Sequence, residues 1–321
     1  MLYVRKAGVV GAGTMGAAIA EVLAFNEVNV LLKEVNEELL AKGLARVKGI
    51  VDELVDFHQG RADKEISRIE EMGLKLTEEQ KSAIRQKLKP KVDRKRGDEI
   101  IARVKGTTNW DDFKDVDLVI EAAFEKESVK KEVFANLDRV LPDHAVIASN
   151  TSSLSITQLA RGLKHCGSTL IAHFFNPPYT LPLVEIVAGV DTRDDVVSDV
   201  MDFFQGLRNH RFPMVPIRVK EVPGFLVNRL LIPMLNEACF ALEEGVASAR
   251  DMDLALKAGA GNPMGPLELA DMIGLDVCLD VAEILHREYG DPKYRPAIAL
   301  KRMVAAGHLG RKTGRGFYEY S

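Results

Sequence analysis

A short apolar run, Val4 to Val10, broken only by Arg5-Lys6, leads into Gly11-Ala12-Gly13-Thr14-Met15-Gly16 and then into Ala17 to Phe25, which has helical character. This succession of strand, glycine turn and helix restricts the fold severely. Gly11 permits the tight turn, Gly13 lets the backbone approach a pyrophosphate, and Gly16 lets the helix pack closely on the strand. The free N–H groups at the start of such a helix suit phosphates. Asn29 to Leu32 reads as the second strand, with Glu34 just beyond it. An acid there can accept hydrogen bonds from a ribose 2′-hydroxyl and would repel a 2′-phosphate, which favours NAD over NADP. Lys33 beside it works against that preference.

Downstream, Asn36 to about Ile101 is charged and helical in pattern, with a break expected near His58-Gln59-Gly60. Between Arg85 and Arg96 the basic residues Arg85, Lys87, Lys89, Lys91, Arg94, Lys95 and Arg96 face only Asp93. They are either a solvated helix and loop or cations that meet the phosphates of a nucleotide-bearing substrate. Strand and helix then alternate: Val116 to Ala123, Lys126 to Leu141, Ala145 to Ser149, Ser155 to Leu163, and the strands Thr169 to Phe175 and Leu183 to Val187. Such alternation implies a doubly wound, mostly parallel sheet. After about Lys220 helices are expected at Phe225 to Gly245, with Pro233 as a kink, and at Met252 to Ala258, Pro266 to Tyr289 and Pro296 to Ala306. Only Phe317 to Tyr320 reads as a strand there. The organisation is thus an α/β Rossmann-type domain over 1–220, carrying a helical insertion at about 37–101, and an all-α domain over 221–321.

Two segments carry the candidate chemistry. Ser149-Asn150-Thr151-Ser152-Ser153 lies between a strand and a helix, at the strand edge where doubly wound sheets place ligands. Ser152 is either a helix cap or a site residue. His173 follows Leu170-Ile171-Ala172 where that strand leaves the core, and Glu185 is the one charge within Leu183 to Val187. An unpaired carboxylate inside a strand is costly. Hydrogen bonding to an imidazole offsets the cost, fixes the tautomer and makes the outer nitrogen a base. Asn176 lies three residues past His173, beside Pro177-Pro178, and Asn228 sits on the first helix of the second domain. The pattern points to hydride transfer at a hydroxyl-bearing carbon.

Composition narrows the class. A net charge of -4 argues against a nucleic-acid partner. Cys166, Cys239 and Cys278 lack metal-ligand spacing and read as buried thiols of a reducing compartment, so no metal and a cytoplasmic location are expected. No apolar run reaches the roughly 18 residues of a membrane span. The apolar first helix of the small second domain suggests a homodimer interface.

The chain resembles the L-3-hydroxyacyl-CoA dehydrogenases, including their 3-hydroxybutyryl-CoA branch. The resemblance runs through Gly11 to Gly16, Ile120 to Glu125, Ser149 to Leu154, His173 to Pro177, Pro223 to Arg229, Pro263 to Asp271 and Gly310 to Tyr318. It implies NAD-dependent, reversible oxidation of an L-3-hydroxyacyl-CoA to a 3-ketoacyl-CoA, as in β-oxidation. His173 matches the family's base and Glu185 its partner. Ser152 and Asn228 match groups that hold the reacting oxygen, and Asn176 a residue of the nicotinamide and substrate cleft. Gly11, Ala12, Gly13, Thr14, Met15 and Gly16, with Glu34, Glu125 and Lys130, match cofactor contacts. An enoyl-CoA hydratase, fused or associated, is an implied partner. Pro178 to Leu183 is similar instead to the λ-crystallin-like branch of L-gulonate 3-dehydrogenases and carnitine dehydrogenases, which act on free 3-hydroxy acids. A non-catalytic, crystallin-like NAD-binding protein is the remaining alternative.

Overall fold

The computed structural model describes residues 2–320. They form two compact units, the first ending at Val219 and the second starting at Lys220. In chain order the first holds β1 (Lys6–Val10), α1 (Thr14–Phe25), β2 (Asn29–Lys33), α2 (Glu37–Glu71), α3 (Glu78–Lys87), α4 (Arg94–Arg103) and β3 (Val104–Thr107). β4 (Leu118–Glu121), α5 (Glu127–Val140), β5 (Val146–Ser149), α6 (Ile156–Ala160), β6 (Thr169–Phe174), β7 (Leu183–Ala188), α7 (Asp194–Gln205) and β8 (Val215–Lys220) follow. One eight-stranded sheet has the order β3-β2-β1-β4-β5-β6-β7-β8. Pairings from β3 to β6 are parallel, and β7 runs antiparallel to β6. The strand order reverses between β1 and β4, so the crevice beyond their carboxyl ends is the ligand position of such a sheet.

The central strands are near-continuous apolar runs because helices cover both faces: Val9, Leu118, Ile120, Ile147, Leu170 and Ile186 are fully buried. The break expected at His58-Gln59-Gly60 is absent, and α2 runs through it for 35 residues. Gly60 costs a helix interior only about 1 kcal/mol. Against that, α2 buries a stripe that includes Leu40, Val47, Val51, Leu54 and Val55. Asn36 caps its start by accepting from the Leu39 N–H at 2.9 Å. α4 packs close on this stripe, since a Cβ on Gly97 would lie 2.7 Å from Val55. Asp93 caps α4 through the Arg96 N–H, so it closes a helix rather than opposing the neighbouring cations.

The second unit contains α8 (Val227–Glu243), α9 (Ala249–Ala260), α10 (Pro266–Ile273), α11 (Leu275–Tyr289) and α12 (Ile298–Ala305). Pro233 lies inside α8. The single helix expected over Pro266 to Tyr289 is two, because Gly274 takes φ 108, a conformation only glycine adopts easily. Phe317 to Tyr320 is not a strand. The segment folds on itself through bridges from Arg315 to Gly310 and Glu319. It is tied down by Asp271, which accepts from the Phe317 and Tyr318 N–H groups and the Tyr320 hydroxyl.

Among the described residues no helix is long and apolar enough to cross a membrane. All three cysteines are free thiols; Cys239 and Cys278 are buried as expected, but Cys166, in the loop before β6, is only partly buried. Burial pushes Cys239 and Cys278 up to about 12, far from the reactive thiolate range. A thiol reagent added to the native protein is therefore expected to titrate Cys166 alone, and the other two only after denaturant. Reaction of all three in the native state would show that the core of the second unit opens readily.

Candidate active site

Strand register sets the central pair. β6 and β7 bring His173 opposite Glu185, and Nδ1 of His173 lies 2.8 Å from Oε2 of Glu185. The carboxylate is fully buried and the imidazole side chain is 8% exposed. A carboxylate accepts, so Nδ1–H donates and Nε2 is the nitrogen that carries the lone pair. Cross-strand placement makes this pairing a property of the sheet rather than of loop geometry.

The neighbouring strand ends at the same edge. Ser149 is level with Ile171 in the parallel β5–β6 ladder, so the segment after Ser149 emerges beside His173. Asn150 joins the two, its Oδ1 accepting from the Phe174 N–H at 2.9 Å. Past the last ladder pair, the Asn150 side chain thus stands in for a β5 carbonyl and holds the peptide next to His173.

A buried polar network shapes the loop after Asn150. Glu121, at the end of β4, accepts from Lys130 Nζ at 2.8 and 2.9 Å, from the Ala123 N–H at 2.7 Å and from the Ser149 hydroxyl at 2.6 Å. The same ammonium lies 3.2 Å from Glu125. Glu125 Oε1 in turn accepts from the Thr151 hydroxyl and from the Ser152 N–H and Ser153 hydroxyl, each at 3.1 Å. Ser152 is therefore not a helix cap. Ser155 caps α6, accepting from the Gln158 N–H, and Ser152 is a partly exposed loop residue held by Glu125. Lys130 is 1% exposed and spends its charge on the two glutamates.

At the crevice, Gly11 has φ 96, and a Cβ there would meet the Ala122 oxygen at 2.6 Å. A Cβ on Gly16 would lie 1.7 Å from the Gly11 oxygen, whereas one on Gly13 would meet nothing within 4 Å. Gly11 and Gly16 are thus required by the protein, and Gly13 faces open space. α1 begins at Thr14 and Met15 with no side-chain cap bond and no acid in its first turn, leaving its N–H groups to an external anion. Glu34 reaches across and accepts from the Ala12 and Val35 N–H groups at 2.8 and 2.9 Å. Lys33 turns inward: it is 4% exposed, donates to the Glu34 and Thr108 carbonyls and sits 4.2 Å over the Trp110 ring. Burial, outweighing the charge of Glu34, lowers its pKa. The cation that tempered the preference for NAD is thereby withdrawn from the cofactor side.

Asn176 is exposed, two residues beyond β6. Asn228 belongs to the second unit, in the first turn of α8. The basic run does not act as one patch. Arg85 pairs with Asp63 at 3.1 Å and Arg94 with Asp52 at 2.5 Å, and Arg96 pairs with Glu27 at 3.0 Å and Glu99 at 3.3 Å. Arg94 and Arg96 are thus already partnered within the protein. Sequence reasoning missed Glu121 and the bond made by Asn150. Glu121 carried a readable signal, an acid closing the apolar run Leu118 to Ile120. Asn150 carried none, because its target is a backbone N–H.

Models of known families decide the kinship. That for the NAD-binding domain of 3-hydroxyacyl-CoA dehydrogenase matches residues 6–74 and 53–222; that for its C-terminal domain matches 224–320. The chain belongs to the 3-hydroxyacyl-CoA dehydrogenase family. It is 39% identical over 318 residues to the 3-hydroxybutyryl-CoA dehydrogenase of Bradyrhizobium diazoefficiens, covering 99% of this chain and 96% of that one. It is 37% identical to the mitochondrial hydroxyacyl-coenzyme A dehydrogenase of Sus scrofa, over 99% of this chain and 92% of the relative. The crystal structure of (S)-3-hydroxybutyryl-CoA dehydrogenase from Ralstonia eutropha superposes with a TM-score of 0.80 at 41% identity, covering 99% of this chain and 100% of that one. As a member of this family the chain is an NAD-dependent oxidoreductase of 3-hydroxyacyl-CoA type. The open space at Gly13, the uncapped α1 and the Glu34 carboxylate fit NAD.

The two glycines separate protein from ligand. Gly13→Ala is expected to keep the melting temperature and to weaken NADH binding by roughly tenfold or more, since only the ligand meets the new methyl. Gly16→Ala is expected to unfold the domain. Equal NADH affinity in Gly13→Ala, measured by fluorescence titration, would remove this glycine from the cofactor site.

Proposed function

We propose that the protein oxidises L-3-hydroxybutyryl-CoA and related short L-3-hydroxyacyl-CoA esters reversibly to 3-ketoacyl-CoA, with His173 as the general base. The observation that carries the reading is the buried Nδ1 contact of His173 with Glu185 at 2.8 Å, which orients the ring and makes Nε2 its basic nitrogen. The names of the Bradyrhizobium and Ralstonia relatives support the choice of acyl group.

Oxidation removes a proton from the hydroxyl and a hydride from the carbon beneath it. NAD, when bound, supplies the acceptor for the hydride. The diphosphate would lie on the Gly11 to Gly16 turn and the start of α1, with Glu34 toward the ribose. His173 takes the hydroxyl proton at Nε2, and Glu185 stabilises the imidazolium that forms. In the reverse direction His173 returns the proton to the alkoxide. Ser152, held by Glu125 through its N–H, offers its hydroxyl to the reacting oxygen, and Asn228 and Asn176 take part in substrate binding. Lys130 acts by orienting Glu125 rather than by touching the cofactor.

Three further readings accompany this one. Leu226, Leu230 and Met234 recur at helical spacing and are 42%, 67% and 39% exposed, an apolar stripe that suits a homodimer formed through the second unit. The free thiols suit a reducing compartment such as the cytoplasm. An enoyl-CoA hydratase, fused or associated, would supply the substrate, because hydration of an enoyl-CoA yields a 3-hydroxyacyl-CoA.

NADH oxidation with acetoacetyl-CoA, run beside free acetoacetate, tests the substrate class. Turnover of the ester alone is expected, and turnover of the free acid alone would move the protein to the hydroxy-acid branch. His173→Gln should lower kcat about a hundredfold or more with NADH binding retained. Glu185→Gln should lower it by a similar order, because an amide cannot stabilise the imidazolium. Near-normal turnover of His173→Gln would eliminate the assigned base. Leu230→Asp is expected to turn a dimer into a monomer by light scattering; a monomeric parent protein would remove the interface.

A further inference from the structure

The turn that starts α8 is wound against its backbone preferences. Gly224 has φ 74 and Phe225 has φ 47. The first suits glycine, but a phenylalanine stays in that region only where its surroundings enforce it. Phe225 is 3% exposed, and its N–H donates to the Val222 carbonyl at 3.0 Å. The helix that follows has no side-chain cap bond and no acid in its first turn. The Arg229 N–H, which a regular helix would leave without a partner, donates back to the Gly224 carbonyl at 3.2 Å. Asn228 lies within this turn, so its orientation depends on what holds residues 223–229.

Two tyrosines hold them. Tyr289, the last residue of α11, directs its hydroxyl to the Pro223 carbonyl at 3.5 Å. Its ring lies 4.2 Å from the guanidinium carbon of Arg229, and the ring of Tyr294 lies at 5.6 Å. The two rings stack at 5.1 Å and 29°. Leu285, one turn earlier on α11, would stand 3.0 Å from a Cβ on Gly224, so α11 packs directly on the turn. The segment after Tyr294 is fixed independently. Asn236, two turns beyond Arg229 on α8, donates to the Arg295 carbonyl at 2.9 Å and accepts from the Ala297 N–H at 2.8 Å. Contacts therefore close a ring, from Pro223 to Tyr289 to Arg229 and back to Gly224, and Asn228 is on the stretch of chain that it encloses.

Fold stability does not account for an arginine here. Nη1 of Arg229 is buried and has no hydrogen-bond partner. A buried cation without its full set of acceptors is costly, and an apolar side chain would cover the same rings without that cost. A guanidinium differs in being planar and in being attracted to a ring face, which defines where it sits. What the arginine contributes is a fixed direction for the first turn of α8.

We propose that Arg229 is a positioning residue: clamped on Tyr289 and Tyr294, it holds the first turn of α8 so that Asn228 is presented to substrate in one orientation. The inference rests on the substrate contact given to Asn228 above. The effect of Arg229 is exerted wholly through Asn228.

A double-mutant cycle on the reduction of acetoacetyl-CoA tests this. Arg229→Gln and Asn228→Ala should each lower kcat by roughly tenfold or more, with NADH affinity by fluorescence titration and the melting temperature close to those of the parent. In the double variant kcat should equal that of Asn228→Ala alone, because the clamp has nothing left to position. A further loss of the same size in the double variant overturns the proposal, since a loosened fold or an independent effect of the charge would add. Normal kcat in Arg229→Gln overturns it too. Tyr289→Leu, which removes the ring and its hydroxyl while leaving Arg229, should give the same pattern in both backgrounds, and it carries the test if Arg229→Gln does not fold. A neutral Asn228→Ala overturns the proposal together with the contact assigned to Asn228. A parent without turnover removes the dehydrogenase reading itself, a result distinct from additivity in the cycle.

Discussion

The carboxylate of Glu121, fully buried at the end of β4, needs a donor for each of its lone pairs, because water cannot reach it and an unpaired buried charge is among the most destabilising features a fold can carry. Lys130, Ala123 and Ser149 provide those donors. Each bond places a different piece of chain. Ala123 sets the turn after β4, Lys130 fixes the first turns of α5, and Ser149 pins the end of β5. From Ser149 and Glu125 the constraint passes to Thr151 and Ser152. The loop that faces His173 is therefore shaped by a charge that never touches substrate.

Histidine–carboxylate contacts recur in this protein, and their surroundings determine what each can do. His165 is buried, with Nδ1 2.7 Å from Asp138 and Nε2 3.0 Å from the Pro142 carbonyl. Both ring nitrogens are committed, so this histidine can only tie loops together. His210 directs Nε2 to Glu21 and lies tilted against the Phe25 and Tyr179 rings, which makes it an anchor. His173 commits Nδ1 to Glu185 from within a paired strand. A base needs an oriented ring and a nitrogen directed away from the orienting group, and the strand supplies the orientation.

Much of this was readable from the chain alone, for identifiable reasons. The glycine turn, the apolar central strands and the isolated acid at Glu185 are local patterns whose physical meaning survives folding. β3 and β8 were not readable. β3 is Val104–Thr107, with two of its four residues exposed, and β8 carries a proline and no buried residue. Edge strands of this kind lack the apolar signature that marks central ones. The continuity of α2 was hidden because Gly60 looks like a breaker until the packing of Val51 and Val55 against α4 is known. Asn150 and Asn209 were hidden for another reason: each acts on backbone N–H groups brought close only by tertiary structure.

The second unit shows the same economy in a different setting. Asp253 accepts from the Leu267 and Glu268 N–H groups and from the Tyr318 hydroxyl. Asp271 does the same for the C-terminal segment. Gly265 and Gly316 lie against these carboxylates so closely that a Cβ would meet them at 2.2 and 2.0 Å. The segments Pro263 to Asp271 and Gly310 to Tyr318, which carried part of the family resemblance, are thus two halves of one clamp. Neither half contains a reacting group. Their spacing is held by the need to satisfy two buried aspartates, so a motif can identify the family while acting only through the fold. The reacting chemistry is read instead from His173 and Glu185, whose pairing depends on strand register in the first unit.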